Sequence, residues 1–173
     1  MTKTTFKIND DKKSLTFERD FSVSKDKLWE AYTSASMLDK WFAPKGWECT
    51  TKEHSFEDGG KWIYSLKCTD PEQTDFYGME MPGVLTYDSI NPEDSFVYTD
   101  TFFDAFLNER GEVDTTMPGS HTILTMVSDG TGTILTFTTS YESAEDLQQV
   151  IEMGMQQGLE ESHDKLEELV SSL

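Results

Sequence analysis

Apolar residues along the chain first alternate, then fall at helical spacing, then alternate again. Leu15 and Phe17, followed by Phe21–Val23, predict a first strand. Ser24 is a suitable N-cap, and Leu28, Ala31, Tyr32 and Ala35 follow with the period of a helix. A second short helix over Met37–Phe42 is expected to stop at Pro44 and Gly46. From Trp47 onward the pattern is strand-like. Trp62, Tyr64, Leu66 and Cys68 alternate behind the hairpin signal Asp58-Gly59-Gly60. Gly83–Ile90, Phe96–Asp104, His121–Val127 and Thr133–Tyr141 predict further strands, with Asp129-Gly130 between the last two. Asn108–Pro118 reads as a loop, residues 1–14 as a polar leader, and residues 15–173 as one domain.

The C-terminal segment predicts the longest helix. Ser143 can cap it, Glu145 and Asp146 place negative charge in its first turn, and Leu147, Ile151, Met155, Leu159, Leu166 and Leu169 form an apolar stripe. About 28 residues at ~1.5 Å rise would make a rod of roughly 40 Å. A helix that long must lie on something apolar. Strands in a run followed by a terminal helix mean α+β. The expected architecture is a curved antiparallel sheet of about six to seven strands wrapped around the long helix, with two short helices after the first strand.

Composition narrows the function classes. The chain has 173 residues, 14 Lys and Arg against 33 Asp and Glu, and a formal net charge of -19. No basic cluster is available to meet phosphates, so neither nucleic acid nor an anionic membrane surface is an expected partner. The 12% aromatic content argues against a disordered acidic chain. There is no apolar run of membrane-spanning length and no signal-peptide core, which leaves a cytoplasmic location as the expectation. Two cysteines and three scattered histidines (His54, His121, His163) suggest neither a disulfide framework nor a metal site. No cofactor is expected: Gly130-Thr131-Gly132 lacks the rest of a phosphate-binding loop. No nucleophile elbow or zinc-protease helix occurs, so no catalytic residue is assigned.

Candidate chemistry follows from register. If Asp58-Gly59 is a two-residue turn, Glu53 faces Tyr64 and shares the face of Trp62 and Leu66, while Cys49 faces Cys68. Glu53 on an apolar face would be a ligand anchor or an acid–base group. Asp100 and Asp104 share a face with Phe96, Tyr98 and Phe102 by alternation and are weaker candidates. His163 reads as a solvated partner of Glu160, Glu161 and Glu167, and His121 as a group near a cavity mouth. Gly154 and Gly158 read as close packing of helix on sheet or as room for a ligand.

Several motifs, in order, resemble one family. They are Leu38-Asp39-Lys40-Trp41-Phe42-Ala43-Pro44-Lys45-Gly46-Trp47, Gly59-Gly60-Lys61-Trp62, Tyr87, Ile90-Asn91-Pro92-Glu93 and Tyr98-Thr99-Asp100-Thr101-Phe102. Met153-Gly154-Met155-Gln156-Gln157-Gly158-Leu159 and Asp164-Lys165-Leu166 complete the set. The chain resembles the activator of heat-shock protein 90 ATPase-like family, within the helix-grip superfamily that also holds START domains, plant pollen-allergen proteins and polyketide cyclases. The resemblance implies a cavity between sheet and long helix. Many relatives carry a tryptophan where Leu159 stands, and the eukaryotic chaperone activator has a separate N-terminal domain that the residues before Leu15 do not provide.

Three functions are therefore carried forward. The first is a non-catalytic binder of a small apolar or amphipathic molecule, its cavity formed by Trp41, Glu53, Trp62, Tyr64, Phe102, Met126, Phe137, Met153 and Gln157, with Glu53 and Gln157 as anchors. The second is a chaperone-associated stress-response module, and the third a cyclase- or hydrolase-like enzyme using a cavity carboxylate. The face of the strand Phe96–Phe103 is a candidate homodimer surface.

Overall fold

The computed structural model describes residues 3–102, 106–107, 113–115 and 118–173, with the backbone alone at 102, 106–107 and 113–115. Its strands are β1 (Thr4–Ile8), β2 (Ser14–Phe21), β3 (Trp47–His54), β4 (Lys61–Cys68), β5 (Glu80–Asn91), β6 (Ser95–Phe102), β7 (Phe106–Leu107), β8 (Val113–Thr115), β9 (Ser120–Ser128) and β10 (Thr133–Ser140). Its helices are α1 (Lys25–Thr33), α2 (Ala35–Trp41), α3 (Ala144–Glu152) and α4 (Met155–Ser171). The sheet is antiparallel, curved and open, in the order β1-β2-β10-β9-β6-β5-β4-β3, with β7 and β8 attached beside β5. This is the α+β arrangement expected, with more strands.

The extra edge strand comes from the segment read as a leader. Phe6 of β1 pairs with Phe17 of β2 and packs against the core. The polar run after it is the hairpin turn: the Asp11 carboxylate accepts from the backbone N–H of Lys13 and Ser14 at 2.9 and 3.0 Å. Polar turn residues here flank a single inward ring, too weak an alternation to read without the partner strand.

The helices cover one face of the sheet. On α4 the buried residues are Ser162, His163, Leu166 and Val170. Arg19 of β2 is buried, and its guanidinium reaches Asp164 at 2.8 Å and Glu167 at 3.4 Å, fastening α4 to the sheet. Leu15, Phe17, Leu124, Leu135 and Leu166 fill the space between. Trp41 closes the α1–α2 corner by donating from Nε1 to the Ala31 carbonyl at 2.9 Å.

The single long helix expected at the C-terminus is two helices. Ser143 does cap the first, accepting from the Asp146 N–H at 3.1 Å. The break falls at Gly154, whose φ of +91° is open to glycine and strained for other residues. A Cβ at Gly154 would meet nothing within 4 Å, so close packing is not its role. Among the described residues no helix is long and apolar enough to cross a membrane.

Candidate functional site

The inner face of the sheet is aromatic between β4 and β6. Alternation brings Trp62 and Tyr64 from β4, Leu85 and Tyr87 from β5, and Phe96, Tyr98 and Asp100 from β6 to that face. Phe42, at the end of α2, plugs the floor from above. Its ring meets Trp62 edge-on at 4.7 Å and Tyr64 at 5.5 Å, and those two rings lie 4.5 Å apart. The void left between Phe42, Trp62, Leu85, Phe96 and Tyr98 is about 10 Å³. That is room for about one water. Among the described residues, side chains therefore fill this part of the interior.

A carboxyl group interrupts the apolar floor. Asp100 is half-buried, and the Tyr64 hydroxyl donates to both its oxygens at 3.1 Å. Tyr64 must cross β5 to reach it, and Gly83 makes the crossing possible. A Cβ at Gly83 would lie 2.6 Å from both Cζ and Oη of Tyr64. Burial pushes the Asp100 carboxyl up to about 7, with the Tyr64 hydrogen bond acting the other way. Burial, and then the Asp100 charge, hold Tyr64, Tyr98 and Tyr141 above their usual range. Asp100 thus sits among three phenols that stay protonated and a wall of rings. A carboxyl titrating near neutrality there can anchor a polar head group or exchange a proton.

A second buried polar pair lies deeper. His163 is 3% exposed, not a solvated partner of the neighbouring acids. Its Nδ1 is 2.7 Å from the Leu159 carbonyl, which can only accept, so Nδ1 carries the proton. Nε2 then accepts from the Tyr32 hydroxyl at 2.6 Å. Burial pushes this imidazole down to about 4 and keeps it neutral among Phe17, Trp41 and Phe137. The pair ties α1 to α4. The acids one turn away suggested an ion pair, but His163 lies in the 159–163–166–170 stripe that packs on the core.

The residues expected to form the site divide into three groups. Trp62 and Tyr64 stand at the Asp100 floor, whereas Trp41, Met126 and Phe137 are buried in the surrounding core, Phe137 stacked on Phe17 at 4.8 Å. Glu53, Met153 and Gln157 are exposed. Glu53 is turned out by a bulge between Thr51 and Glu53, which leaves Thr51 opposite Tyr64 and Glu53 opposite Ile63. The same register puts Cys49 opposite Leu66 and Cys68 opposite Trp47, as two free buried thiols. Gln157 donates to Glu161 at 2.8 Å on the outer side of α4. His121 is also outward, 4.0 Å from Asp88. The Phe102 backbone pairs with Gly83, but its side chain lies outside the described residues, as do Asp104 and most of the 108–118 loop. Phe42, Leu85 and Tyr98 are lining residues that the candidate set omitted. The parity shared by Phe96, Tyr98 and Asp100 was the signal for two of the groups that matter.

An open curved sheet gripping a C-terminal helix over an aromatic interior is the helix-grip class of α+β protein. The sequence itself matches the model of a family described as activator of Hsp90 ATPase homolog 1-like protein, over residues 22–171, and the chain belongs to that family. Among solved structures it is similar to protein Ms6760 from Mycobacterium smegmatis, with 26% identity, TM-score 0.79, and 96% of each chain covered. A Staphylococcus epidermidis protein is similar at 26% identity and TM-score 0.75, over 95% of this chain and 93% of that one. An Arthrobacter aurescens protein shares the fold at 22% identity and TM-score 0.81, covering 98% and 92%. No curated protein matches the sequence.

Proposed function

We propose that the protein binds a small apolar or amphipathic molecule between its sheet and the α1–α2 corner, with Asp100 as the polar anchor. The observation that carries this is a carboxyl set into an aromatic floor, held by Tyr64 at 3.1 Å where Gly83 clears the way. Such a group has an unfavourable solvation balance, and a core built only for stability would do better with an apolar residue. The ligand enters by displacing Phe42, since the present void is about 10 Å³. The loop that follows Phe42 is held to α4 by polar contacts. Lys165 donates from Nζ to the Pro44 and Trp47 carbonyls at 3.1 and 3.2 Å. Burying ~300 Å² of ligand apolar surface releases ~7 kcal/mol gross, enough to offset one displaced ring before association costs.

Native mass spectrometry of gently purified protein, against the same sample denatured, tests this. A retained small molecule that leaves on denaturation is the expected result. Together with that, saturable binding of some alkyl probe is required; a clean apo mass with no saturable probe would overturn the reading.

The family match favours a second reading, a module that acts on a chaperone ATPase. It predicts a change in the chaperone's ATPase rate on addition of this protein, weakened by salt because the chain carries -19. An unchanged rate at saturating protein would sink it.

A further inference from the structure

The reading above leaves the ligand's head group open, and the surroundings of Asp100 restrict it. A carboxylate accepts several hydrogen bonds, and among the described residues the Tyr64 hydroxyl, bridging both oxygens, is the side-chain donor to Asp100, which leaves acceptor directions toward a ligand. Tyr98 flanks it on the same strand face, and Tyr141 lies within reach of its charge. Aromatic rings around a carboxylate favour a cation, through the negative face of each ring as well as the charge. An anionic head would meet a like charge in a poorly solvated place. Among the described residues the buried cation is Arg19, which is already held by Asp164 and Glu167. The net charge of -19 adds a long-range field that draws cations toward the molecule.

Resting on the ligand-binding reading, we propose that the ligand is a cationic amphiphile, with its ammonium group against Asp100 among Tyr64, Tyr98 and Tyr141 and its apolar tail in the space that Phe42 fills. Tail burial supplies most of the affinity, and the head group supplies the choice between ligands. Binding an ammonium ion ionises Asp100. The groups facing that carboxyl, Tyr64 from β4, Tyr98 from β6 and Tyr141 beyond β10, stay protonated at neutral pH. Amine binding therefore expels the Asp100 proton at or below about neutral pH and weakens as pH falls further.

Three probes with one tail separate the possibilities: dodecylamine, dodecanol and dodecanoate, titrated below their micelle concentrations by calorimetry at about pH 8, where the amine is charged and Asp100 ionised. The expected result is one site, an amine affinity about tenfold or more above that of the alcohol, a carboxylate weaker than both, and competitive displacement of amine by alcohol. Asp100→Asn, which keeps an acceptor for Tyr64, should remove the amine's advantage over the alcohol by lowering the amine affinity about tenfold or more. In the wild type, amine affinity should fall from about pH 7 to pH 5 while that of the alcohol stays level; this arm needs no variant. Equal binding of amine and alcohol, or an amine preference that survives Asp100→Asn, would overturn the cation assignment and leave the binding reading intact. Failure of all three probes to bind saturably would instead remove the reading beneath it.

Discussion

Gly83 decides whether Tyr64 and Asp100 can meet. A methyl at that position would stand 2.6 Å from the phenol's Cζ and Oη, and the ring is wedged between Trp62 and Phe42 with nowhere to retreat. Gly83→Ala should cost about 1–3 kcal/mol, as overpacking does, measured by urea unfolding. It should also lower amine affinity more than alcohol affinity; a variant as stable as the parent would contradict the packing described. Tyr32→Phe leaves the His163 Nε2 buried without its donor, which should cost about 1–3 kcal/mol by the same assay. The two buried titrating groups pull stability in opposite directions. Unfolded His163 takes up a proton below its ordinary value of 6.5, whereas the folded imidazole resists until about 4, so its contribution is lost as pH falls through that window. Asp100 is the reverse: the folded carboxyl keeps its proton up to about 7 and the unfolded one releases it near 3.8, so its contribution is lost as pH rises through that range. Unfolding free energies between about pH 4.5 and 6.5 should therefore rise more steeply with pH in Asp100→Asn than in the parent, and less steeply in His163→Gln. Parallel curves for all three proteins would count against both assignments.

At the scale of elements, two glycines four residues apart behave differently. Gly154 holds a φ of +91° between α3 and α4, and Gly158 lies inside α4, where an added Cβ would touch Pro44 Cβ at an ordinary 3.8 Å. Gly154→Ala should destabilise the protein by about 1–2 kcal/mol through backbone strain. Gly158→Ala should stabilise it by about 0.5–1 kcal/mol through helix propensity. Thermal denaturation of the pair tests this, and shifts of the same sign would mean the break is misplaced. Periodicity could not separate these glycines, because the apolar stripe of Leu147, Ile151 and Met155 runs through the break without a phase change. The β3–β4 hairpin was misread for a related reason. Asp58-Gly59 looks like a two-residue turn, but the loop is longer: Ser55 N–H bonds the Lys61 carbonyl at 2.8 Å, and the bulge after Thr51 shifts the register again. One residue of slip turns a whole side chain to the other face. Hence Glu53 was expected inside and stands outside. In β6 no bulge intervenes between Phe96 and Asp100, and there the parity argument placed the carboxyl correctly.

For the molecule as a whole, the order of elements was legible because strands with strong alternation, such as Trp62–Leu66, announce themselves locally. Which rings pack against each other was not legible. Trp41, Met126 and Phe137 look the same in sequence whether they line an opening or fill a core; the fold buries all three in the core. Tyr32 and His163 are 131 residues apart and meet only because α1 and α4 cross the same face. The acidic balance of -19 belongs to this scale too, and it gives the salt dependence expected of cation capture. The proposed function stands or falls on a ligand in the space between the sheet and the α1–α2 corner, beneath Phe42. NMR on isotopically labelled protein with unlabelled dodecanol tests it most directly, since that probe carries no charge to hold it on the acidic surface. Intermolecular contacts from the alkyl chain to the rings of Phe42, Trp62, Phe96 and Tyr98 are the predicted result. Contacts confined to the exposed Phe76, Tyr77, Ile123 and Val127 would contradict it.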